Sequence, residues 1–398
     1  MRKLILYAAL LSMIVSFIPV YGTEPEVTSP SAILIDAGTG KVLYEKNADE
    51  KRFPASTTKI MTGLLTVEHG KLDETVTIGT NPSLVEIGSS QIYLVPEEQL
   101  TLEQLLYALM LESANDAAVA IAEHISGSVE EFVRLMNNKA KELGASNTNF
   151  INPNGLHHDN HYTTARDLSL IARHAMTLEK FRNVVKEVKY IIPKTNKQEE
   201  RNYITNSNKL IWEIYDQFRY EYATGIKTGY TVKAKQCLVG SAKKGDLELI
   251  SVVMGAEGQK VYSDTVELFN YGFANFQKVE ILKKEQVVTT VSVEESEEKI
   301  NLLAAENFSM VLSESERERI TTEIETMPGL TVPVKKGEVL GVIIVYADGS
   351  EVKRVELLSS VEIEAPEKSG YRWLWIIVGF LIYRTIVTIY KTRRRRRM

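Results

Sequence analysis

A serine and a lysine three residues apart, Ser56 and Lys59, are the first side chains in this sequence that could perform chemistry together. An apolar run starts with them and continues to His69 before Gly70, which predicts a buried helix. Because residues three apart share a helix face, the amine can reach the hydroxyl. A serine nucleophile needs a proton acceptor, and an apolar first turn near the positive helix end disfavours the lysine cation. Neutral Lys59 would be a general base for Ser56.

Two further polar motifs follow along the chain. Ser113 and Asn115 lie on a predicted loop between two apolar helices, and Lys227-Thr228-Gly229 lies in a predicted strand. The strand would place a cation and a hydroxyl on one edge, and its glycine would let a ligand approach the backbone. Each motif alone also fits a structural explanation: a helix start with a surface lysine, a helix cap, or an exposed strand with a bulge. The three motifs in this order are much more specific than any one of them.

The two ends of the chain have unusual compositions. Residues 1–22 combine a basic start, an apolar core and a small final residue, which predicts a secretory signal peptide cleaved after Gly22. Trp373–Tyr390 is apolar apart from Arg384 and a few threonines, and as a helix it would be about 27 Å long. A spanning helix is favoured over one lying in the interface, an alternative that stays open. The cluster Arg393–Arg397 predicts a cytoplasmic C-terminus.

The charge distribution excludes one class of partner. The chain has 52 acidic and 47 basic residues, and eight of the basic ones lie close to the two chain ends: Arg2, Lys3, Lys391 and Arg393–Arg397. The part between them is therefore strongly acidic, and its surface would repel a phosphate backbone. Nucleic-acid binding is not expected.

The cysteine and histidine content indicates neither a disulfide nor a metal site. Cys237 is the single cysteine, so it cannot form an internal disulfide, and we interpret it as a buried strand residue. His157, His158 and His161 have no helical spacing and no thiolate or carboxylate cluster beside them. We expect no metal and no cofactor, and we expect His161 to shape a loop.

The pattern of apolar residues predicts an α+β fold followed by a smaller all-β domain. Helices are predicted from Ser56 to residue 69, at 101–111, 117–125 and 130–143, from residue 164, and at 267–276. Strands are predicted at 32–36, 41–45, 237–242 and 247–254, and in the second domain at 287–293, 307–312, 330–333, 340–347 and 352–358. The predicted boundaries are 1–22 for the signal peptide, 23–277 for the catalytic domain, 278–366 for the all-β domain, 371–391 for the membrane anchor and 392–398 for a cytoplasmic basic tail.

The residues around the three motifs resemble those of the low-molecular-weight D-alanyl-D-alanine carboxypeptidases, which are penicillin-binding proteins of peptidase family S11. The segments that carry the resemblance are Phe53–Thr62, Ser113–Ala118, Asn152–His157, His161–Ala165 and Gly225–Thr231. The resemblance covers roughly residues 25–365. It implies a β-lactamase-like catalytic domain of helices and antiparallel sheet, then a small β domain and a C-terminal membrane anchor.

The resemblance also implies a reaction. Ser56 would be the nucleophile, Lys59 its base, and Ser113 would pass protons towards the leaving amine. Attack on the penultimate D-alanine carbonyl would release the terminal D-alanine and leave an acyl-enzyme for water to clear. The substrates would be peptidoglycan stem peptides outside the cytoplasmic membrane, and β-lactam antibiotics would be inhibitors.

The residues expected to bind substrate are Asn115, Lys227, Thr228, Gly229 and Tyr230. In the family's pattern Asn115 would hold the peptide, and Lys227 with Thr228 would bind the terminal carboxylate. The oxyanion would lie between the backbone N–H groups of Ser56 and Tyr230, donors aimed at charge that develops only in the transition state.

One position departs from the family. Relatives often carry an arginine just before the aromatic residue in the segment matching Gly255–Tyr262, where it helps to hold the substrate carboxylate. Here Val261 occupies that position, and Lys260 comes one residue earlier. Either Lys260 substitutes imperfectly, because lysine lacks the bidentate fork, or Lys227 and Thr228 act alone.

Three rival functions were weighed. A class A β-lactamase would need a glutamate for deacylation in a loop within residues 127–164, and none is suitably placed, so penicillin should be released slowly. A transpeptidase would share the acyl-enzyme and pass it to an amine; the small second domain favours hydrolysis. A membrane-tethered sensor of muropeptides would have no need for Ser56, Lys59 and Lys227 together. The sequence therefore predicts an exported, anchored serine D-Ala-D-Ala carboxypeptidase.

Overall fold

The computed structural model describes residues 24–86, 88–214, 217–294, 296, 298–365 and 372–395. The predicted signal peptide lies outside these residues. The chain divides into two compact units, Met1–Val279 with Met310–Glu314, and Glu280–Ser309 with Ser315–Met398. The domain boundaries given above stay predictions.

The described part of the first unit alternates helices and strands. Its helices are α1 (Lys59–His69), α2 (Leu102–Tyr107), α3 (Asn115–Ser126), α4 (Val129–Glu142), α5 (Ala165–Ala175), α6 (Glu179–Val185) and α7 (Lys260–Asn275). Shorter helical turns cover Ala55–Thr58, Asn81–Leu84, Ala108–Glu112 and Lys209–Ile211. Its strands are β1 (Ser31–Asp36), β2 (Val42–Lys46), β3 (Thr75–Thr77), β4 (Gln99–Thr101), β5 (Lys189–Ile192), β6 (Arg201–Thr205), β7 (Ala223–Thr231), β8 (Lys235–Lys244) and β9 (Leu247–Ala256).

A five-stranded antiparallel sheet in the order β2-β1-β9-β8-β7 forms the centre of this unit. Side chains alternate across a strand, so β1 contributes to two hydrophobic clusters. Ile33 and Ile35 belong to the larger cluster, which contains the buried residues of α1, α3 and α5. Ala32 and Leu34 belong to the second cluster, which contains residues of α7. The result is a sheet covered by helices on both faces, with β7 at one edge.

The observed helix caps agree with the predictions from the sequence, whereas two helices begin at residues other than the predicted ones. Thr101 forms the predicted capping box with Gln104, and the Thr164 side chain accepts the Asp167 N–H at the start of α5. However, α7 begins at Lys260, seven residues before the predicted start, because its first turns also pack in the second cluster. Asn115 is the first residue of α3 and is not a loop residue.

The described part of the second unit contains the predicted all-β fold. Its five-stranded antiparallel sheet has the order β11-β12-β16-β15-β14. Strands β10 and β13 pair in a separate two-stranded sheet, in which residues 276–279 and 310–313 count with the first unit. The elements are β10 (Phe276–Leu282), β11 (Val287–Ser292), β12 (Lys299–Ala304), β13 (Phe308–Ser313), α8 (Glu314–Arg317), β14 (Ile320–Thr326), β15 (Val339–Ala347) and β16 (Ser350–Ser359).

Two details of this prediction were wrong. The predicted strand at 330–333 forms only an isolated bridge at Thr331, since it ends in a proline, which cannot donate to a ladder. Strands β10, β12 and β14 were not predicted from the sequence. Strand β14 lies at the sheet edge with its side chains largely exposed, so it lacks the alternating apolar pattern that marks a half-buried strand.

The last described element is helix α9, Arg372–Arg395. Leu374–Arg395 is long and apolar enough to cross a membrane, with a mean hydropathy of 1.5 over its most apolar window. Its exposed apolar side chains fit the predicted anchor by length and composition. The direction in which it would cross stays a prediction.

A buried ion pair ties the β5–β6 hairpin to the segment before β4. Arg201 Nη2 donates to Glu98 Oε1 at 2.8 Å and to Oε2 at 3.0 Å, and Arg201 Nε donates to the Ile92 carbonyl at 2.9 Å. Arg201 and Glu98 are 3% and 0% exposed. This pair therefore fixes the β5–β6 hairpin against the segment before β4.

Removing one partner should destabilise this unit strongly. We expect Arg201→Ala to lower the free energy of unfolding by about 3–5 kcal/mol, because it leaves a buried carboxylate uncompensated. Arg219→Ala is the control, since the Arg219–Glu213 pair is exposed and such pairs contribute about 0–1 kcal/mol. Urea denaturation followed by circular dichroism measures both. Equal losses in the two variants would contradict the structural role of the buried pair.

Candidate active site

Ser56 lies in a tight turn. Two glycines in neighbouring segments allow those segments to approach this turn closely. It belongs to the 3₁₀ turn Ala55–Thr58 that leads into α1, and Ala55 has a left-handed backbone with φ 49°. A Cβ atom on Gly155 would lie 1.9 Å from the Ala55 carbonyl oxygen. On the strand side, a Cβ atom on Gly229 would lie 2.9 Å from the Ser56 nitrogen. Only glycine permits both contacts, so the turn that carries Ser56 is held between two backbones.

The Lys59 amine lies at the bottom of this site. Its Nζ is 3.1 Å from Ser56 Oγ, 2.7 Å from Asn115 Oδ1 and 2.6 Å from the Asn154 carbonyl oxygen. Lys59 is 0% exposed. Burial lowers its pKa well below the ordinary lysine value, and the positive charge of Lys227 lowers it further, while Asp116 opposes the shift. The amine therefore contacts the hydroxyl in an environment that favours its neutral form.

Asp116 connects the start of α3 to the cleft wall. Its buried carboxylate accepts backbone N–H groups of Ile92 and Leu94, as well as that of Ala117. Burial raises its pKa, and these three donors oppose the rise. The segment before β4 is thus anchored to the helix that carries Asn115.

Ser113 occupies a strained position at the end of a π turn. The turn Ala108–Glu112 replaces the last part of the predicted 101–111 helix, and Ser113 follows it with φ 65°. The Ser113 Oγ is buried and has no hydrogen-bond partner within the residues that the structure describes. Ser113 also lines the cleft, so this unpaired hydroxyl lies next to the space that a bound molecule would fill. The π turn and the left-handed residue aim the side chain at the site.

Strand β7 supplies the third motif. Lys227 is 1% exposed, and its Nζ donates to Ser207 Oγ at 3.3 Å. Ser207 Oγ also lies 2.6 Å from Thr228 Oγ1. Burial lowers the pKa of Lys227 to about 7, and the negative charge of Glu112 opposes this shift. A buried lysine and two hydroxyls are thereby joined on one edge of the sheet.

An open cleft of about 690 Å³ connects the three motifs. Its predicted lining residues are Ser56, Ser113, Asn115, Thr228, Gly229 and Tyr230, and other lining residues include Ser90, Glu112, Gly155, Ser207, Lys209, Gln236, Gln259 and Tyr262. Lys59 and Lys227 are buried and contact side chains of this lining. Ser207 and Lys209 were not predicted to line the cleft. The only indication of their position in the sequence is a polar turn before Leu210-Ile211. All eight predicted site residues therefore meet in one place.

His161 and Cys237 have structural surroundings. His161 is buried behind the nucleophile, with Nε2 2.9 Å from Thr58 Oγ1 and Nδ1 3.3 Å from the Ile151 nitrogen. Burial lowers the pKa of His161 to about 3, so the ring is neutral at physiological pH. Cys237 is buried on β8, as predicted, and burial raises its pKa to about 11. Within the described ranges, no cluster of three or more His, Cys, Asp or Glu side chains could hold a metal ion.

The close contact at Gly229 yields a test of the site. We expect Gly229→Ala to reduce the rate of acylation by a fluorescent penicillin at least tenfold, because an added Cβ displaces the Ser56 backbone. Gly38→Ala is the control, since a Cβ there would make an ordinary 3.4 Å contact with Asp36. Labelling that is quenched at a series of times measures both acylation rates, and thermal melting checks that both variants are folded. An unchanged rate in Gly229→Ala would show that this backbone contact does not position the serine.

The chain is similar to curated carboxypeptidases over most of its length. It is 38% identical to the D-alanyl-D-alanine carboxypeptidase DacF of Bacillus subtilis over 86% of each chain. It is 35% identical to DacA of Escherichia coli K12, over 85% of this chain and 84% of that one.

Solved structures and family comparisons agree with these relatives. Penicillin-binding protein 5 from Haemophilus influenzae superposes with a TM-score of 0.67 at 30% identity, over 86% of this chain and 99% of that one. The Streptomyces K15 DD-transpeptidase superposes with a TM-score of 0.59 at 36% identity, over 63% of this chain and 99% of that one. Residues 276–365 match the C-terminal domain of penicillin-binding protein 5. Residues 19–258 match the S11 peptidases, and the chain belongs to this family of D-alanyl-D-alanine carboxypeptidases.

Proposed function

We propose that this protein is a serine-type D-Ala-D-Ala carboxypeptidase that removes the terminal D-alanine from peptidoglycan stem pentapeptides and is acylated by penicillins. The contact between the Lys59 amine and Ser56 Oγ, at 3.1 Å in a fully buried environment, is the observation that carries the proposal. Its family membership and the names of its relatives support the same reaction.

The first half of the reaction makes an acyl-enzyme. Ser56 Oγ attacks the penultimate D-alanine carbonyl while neutral Lys59 takes the hydroxyl proton. The developing oxyanion lies between the backbone N–H groups of Ser56 and Tyr230. As the C–N bond breaks, the Ser113 hydroxyl donates its proton to the leaving amine and takes back the proton held by the Lys59 ammonium, so both groups return to their starting forms and D-alanine departs. Water then attacks the ester carbonyl, which releases the shortened peptide and restores the Ser56 hydroxyl.

Substrate selection rests on the edge of the sheet. The carboxylate of the terminal D-alanine binds Lys227 and Thr228, whose partner Ser207 holds both groups in place. The amide of Asn115 orients the peptide, and Gly229 and Tyr230 offer backbone to its extended chain. A penicillin presents a β-lactam carbonyl and a carboxylate that correspond to the scissile carbonyl and the terminal carboxylate of the peptide, so it acylates the same serine.

Transfer of the acyl group to an amine is the second candidate function. The similarity of 63% of the chain to the Streptomyces K15 DD-transpeptidase favours it. Both reactions share the acyl-enzyme and differ in whether water or an amine attacks the ester. Adding glycine or D-amino acids to the assay distinguishes them by the appearance of a transfer product.

The site would work outside the cytoplasmic membrane. The apolar helix α9 and its basic end support an anchor with a cytoplasmic C-terminus. The predicted signal peptide would export the rest of the chain. Peptidoglycan and penicillins both lie on that side.

The main experiment measures D-alanine release and penicillin labelling in the same sample. The full chain in detergent should release D-alanine from an N-acylated Lys-D-Ala-D-Ala peptide and should be labelled by a fluorescent penicillin. Ser56→Ala should abolish both while melting like the wild type. Labelling without release would favour the transpeptidase, and unchanged labelling of Ser56→Ala would refute Ser56 as the nucleophile.

Lys227 should make substrate binding depend on pH. A group whose pKa falls to about 7 is a cation below that pH and is neutral above it, so KM for a peptide with a free carboxylate should rise above pH 7.

Lys227→Ala should lower kcat/KM for this peptide about tenfold to hundredfold, the usual range for a lost hydrogen bond to a charged group. An amidated peptide should lose less, and equal losses for the two peptides would contradict carboxylate binding.

A further inference from the structure

A pocket that shares no lining residue with the cleft carries an excess of positive charge. Its volume is about 300 Å³, and we call it the basic pocket. Its lining includes three cations, one acid and two aromatic residues, which are Lys51, Arg52, Lys233, Asp159, Phe53 and Tyr162. The chain between its two ends carries more acidic than basic residues. A local excess of cations in such a chain favours an anionic ligand.

Backbone contacts hold together the three segments that form this pocket. Arg52 and Thr163 pair as a short antiparallel bridge, with N···O distances of 2.8 and 3.0 Å. On the third side, the Cys237 thiol lies 3.8 Å from the carbonyl oxygens of both Phe53 and Ala234. The turn between β7 and β8 is thereby held against the segment that precedes the nucleophile. The basic pocket is therefore a preformed part of the catalytic unit.

Two charged residues of the basic pocket already have partners. Arg52 Nη2 donates to Glu50 at 2.7 Å. The exposed Asp159 has its Oδ1 3.3 Å from Nε2 of His157. The charge that the pocket offers to a ligand therefore depends on its two lysines.

The two lysines are accessible at the pocket. Lys51 and Lys233 are both exposed. The Lys51 Nζ lies 4.3 Å from the centroid of the Tyr162 ring, which lines the same pocket. An ammonium over an aromatic face keeps hydrogens that can donate to a ligand. Among the described residues, no carboxylate forms an ion pair with either lysine. Both amines can therefore contact an anion in the pocket.

Strand β7 relates this pocket to the proposed reaction. Along the strand, Lys227 and Thr228 come before Gly229, which packs against the backbone of Ser56. Thr231 lines the cleft two residues after that contact. Because a strand rises about 3.3 Å per residue, Thr231 lies about 7 Å from Gly229 in the direction away from Lys227. The turn that contributes to the basic pocket follows directly.

A peptide in the proposed binding mode runs towards this turn. Its C-terminal carboxylate binds at Lys227 and its scissile carbonyl lies at Ser56, so the residues that precede the scissile bond continue along β7. An extended chain covers about 3.4 Å per residue. One or two residues before the penultimate D-alanine therefore reach the turn between β7 and β8, and an acidic group on either of them comes within side-chain reach of the pocket.

We propose that the basic pocket binds a carboxylate that the peptide carries on the acyl side of the scissile bond. The inference rests on the proposed function and adds an acidic acyl-side residue to the preferred substrate. This carboxylate is a different group from the terminal one, which binds on the other side of Ser56. Lys51 and Lys233 supply the charge that attracts it, and the Tyr162 ring keeps the Lys51 amine at the pocket.

The test compares pairs of peptides that differ by one charge. N-acetyl-Glu-D-Ala-D-Ala and its Gln counterpart differ at the residue before the penultimate D-alanine. N-acetyl-Glu-Lys-D-Ala-D-Ala and its Gln counterpart differ one residue earlier, so the two pairs locate the carboxylate. For the wild-type chain in 0.15 M salt, we expect kcat/KM for the acidic member of one pair to be about tenfold higher, from about threefold for each of two half-exposed ion pairs.

Two variants and one matched control assign this preference to the basic pocket. Lys51→Met and Lys233→Met each remove one charge and keep an aliphatic side chain, so each should lower the acidic-to-neutral ratio of kcat/KM about threefold. The double variant should bring the ratio close to one. Lys235→Met removes a charge two residues further on, where Lys235 pairs with Glu257 and does not line the pocket. This control should keep the wild-type ratio.

A purely structural role of the lysines would lower release from both peptides, and acylation by benzylpenicillin, in the same proportion, so it would leave the ratio unchanged. Equal kcat/KM values for both members of each pair in the wild type would overturn the inference and leave the proposed function standing. An equal fall of the ratio in Lys235→Met would also overturn it, because the preference would then come from the general charge of the chain. A wild type with neither D-alanine release nor penicillin labelling would overturn the proposed function and this inference with it.

Discussion

The Lys59 amine is wholly enclosed, and it contacts Ser56 Oγ, Asn115 Oδ1 and the Asn154 carbonyl oxygen. Keeping an ammonium out of water costs several kcal/mol unless a counter-charge lies against it. The three atoms around this amine are oxygens of neutral groups, so burial favours the neutral form. The neutral amine that the proposed reaction needs beside Ser56 thus follows from the burial of Lys59 by the surrounding elements.

The enclosure depends on backbones that approach the nucleophile closely. Gly155 and Gly229 let two separate segments touch the turn that carries Ser56. The π turn before Ser113 leaves that hydroxyl buried and unpaired within the described residues, at the cleft. These features meet one requirement of the proposed reaction. The small Ser56 hydroxyl must lie within hydrogen-bonding reach of groups that three different elements carry. Distances of this kind tolerate little displacement.

The two buried lysines have different tasks in the proposed reaction. Lys59 must be neutral to accept a proton, whereas Lys227 must be a cation to hold a carboxylate. The positive charge of Lys227 helps to lower the pKa of Lys59, whereas the negative charge of Glu112 favours the Lys227 cation.

The sequence by itself determined the three motifs, the α+β class, the all-β second domain and the capped helix starts at Thr101 and Thr164. Those features depend on residue types at short spacing, which a linear pattern records. Only the tertiary structure decided that Ser207 joins Lys227 to Thr228, that Lys209 lines the cleft and Lys260 does not, and that α7 begins early. These contacts join residues that are far apart in the sequence and close in space. Their closeness follows from how strands and helices pack, which a local sequence pattern does not record.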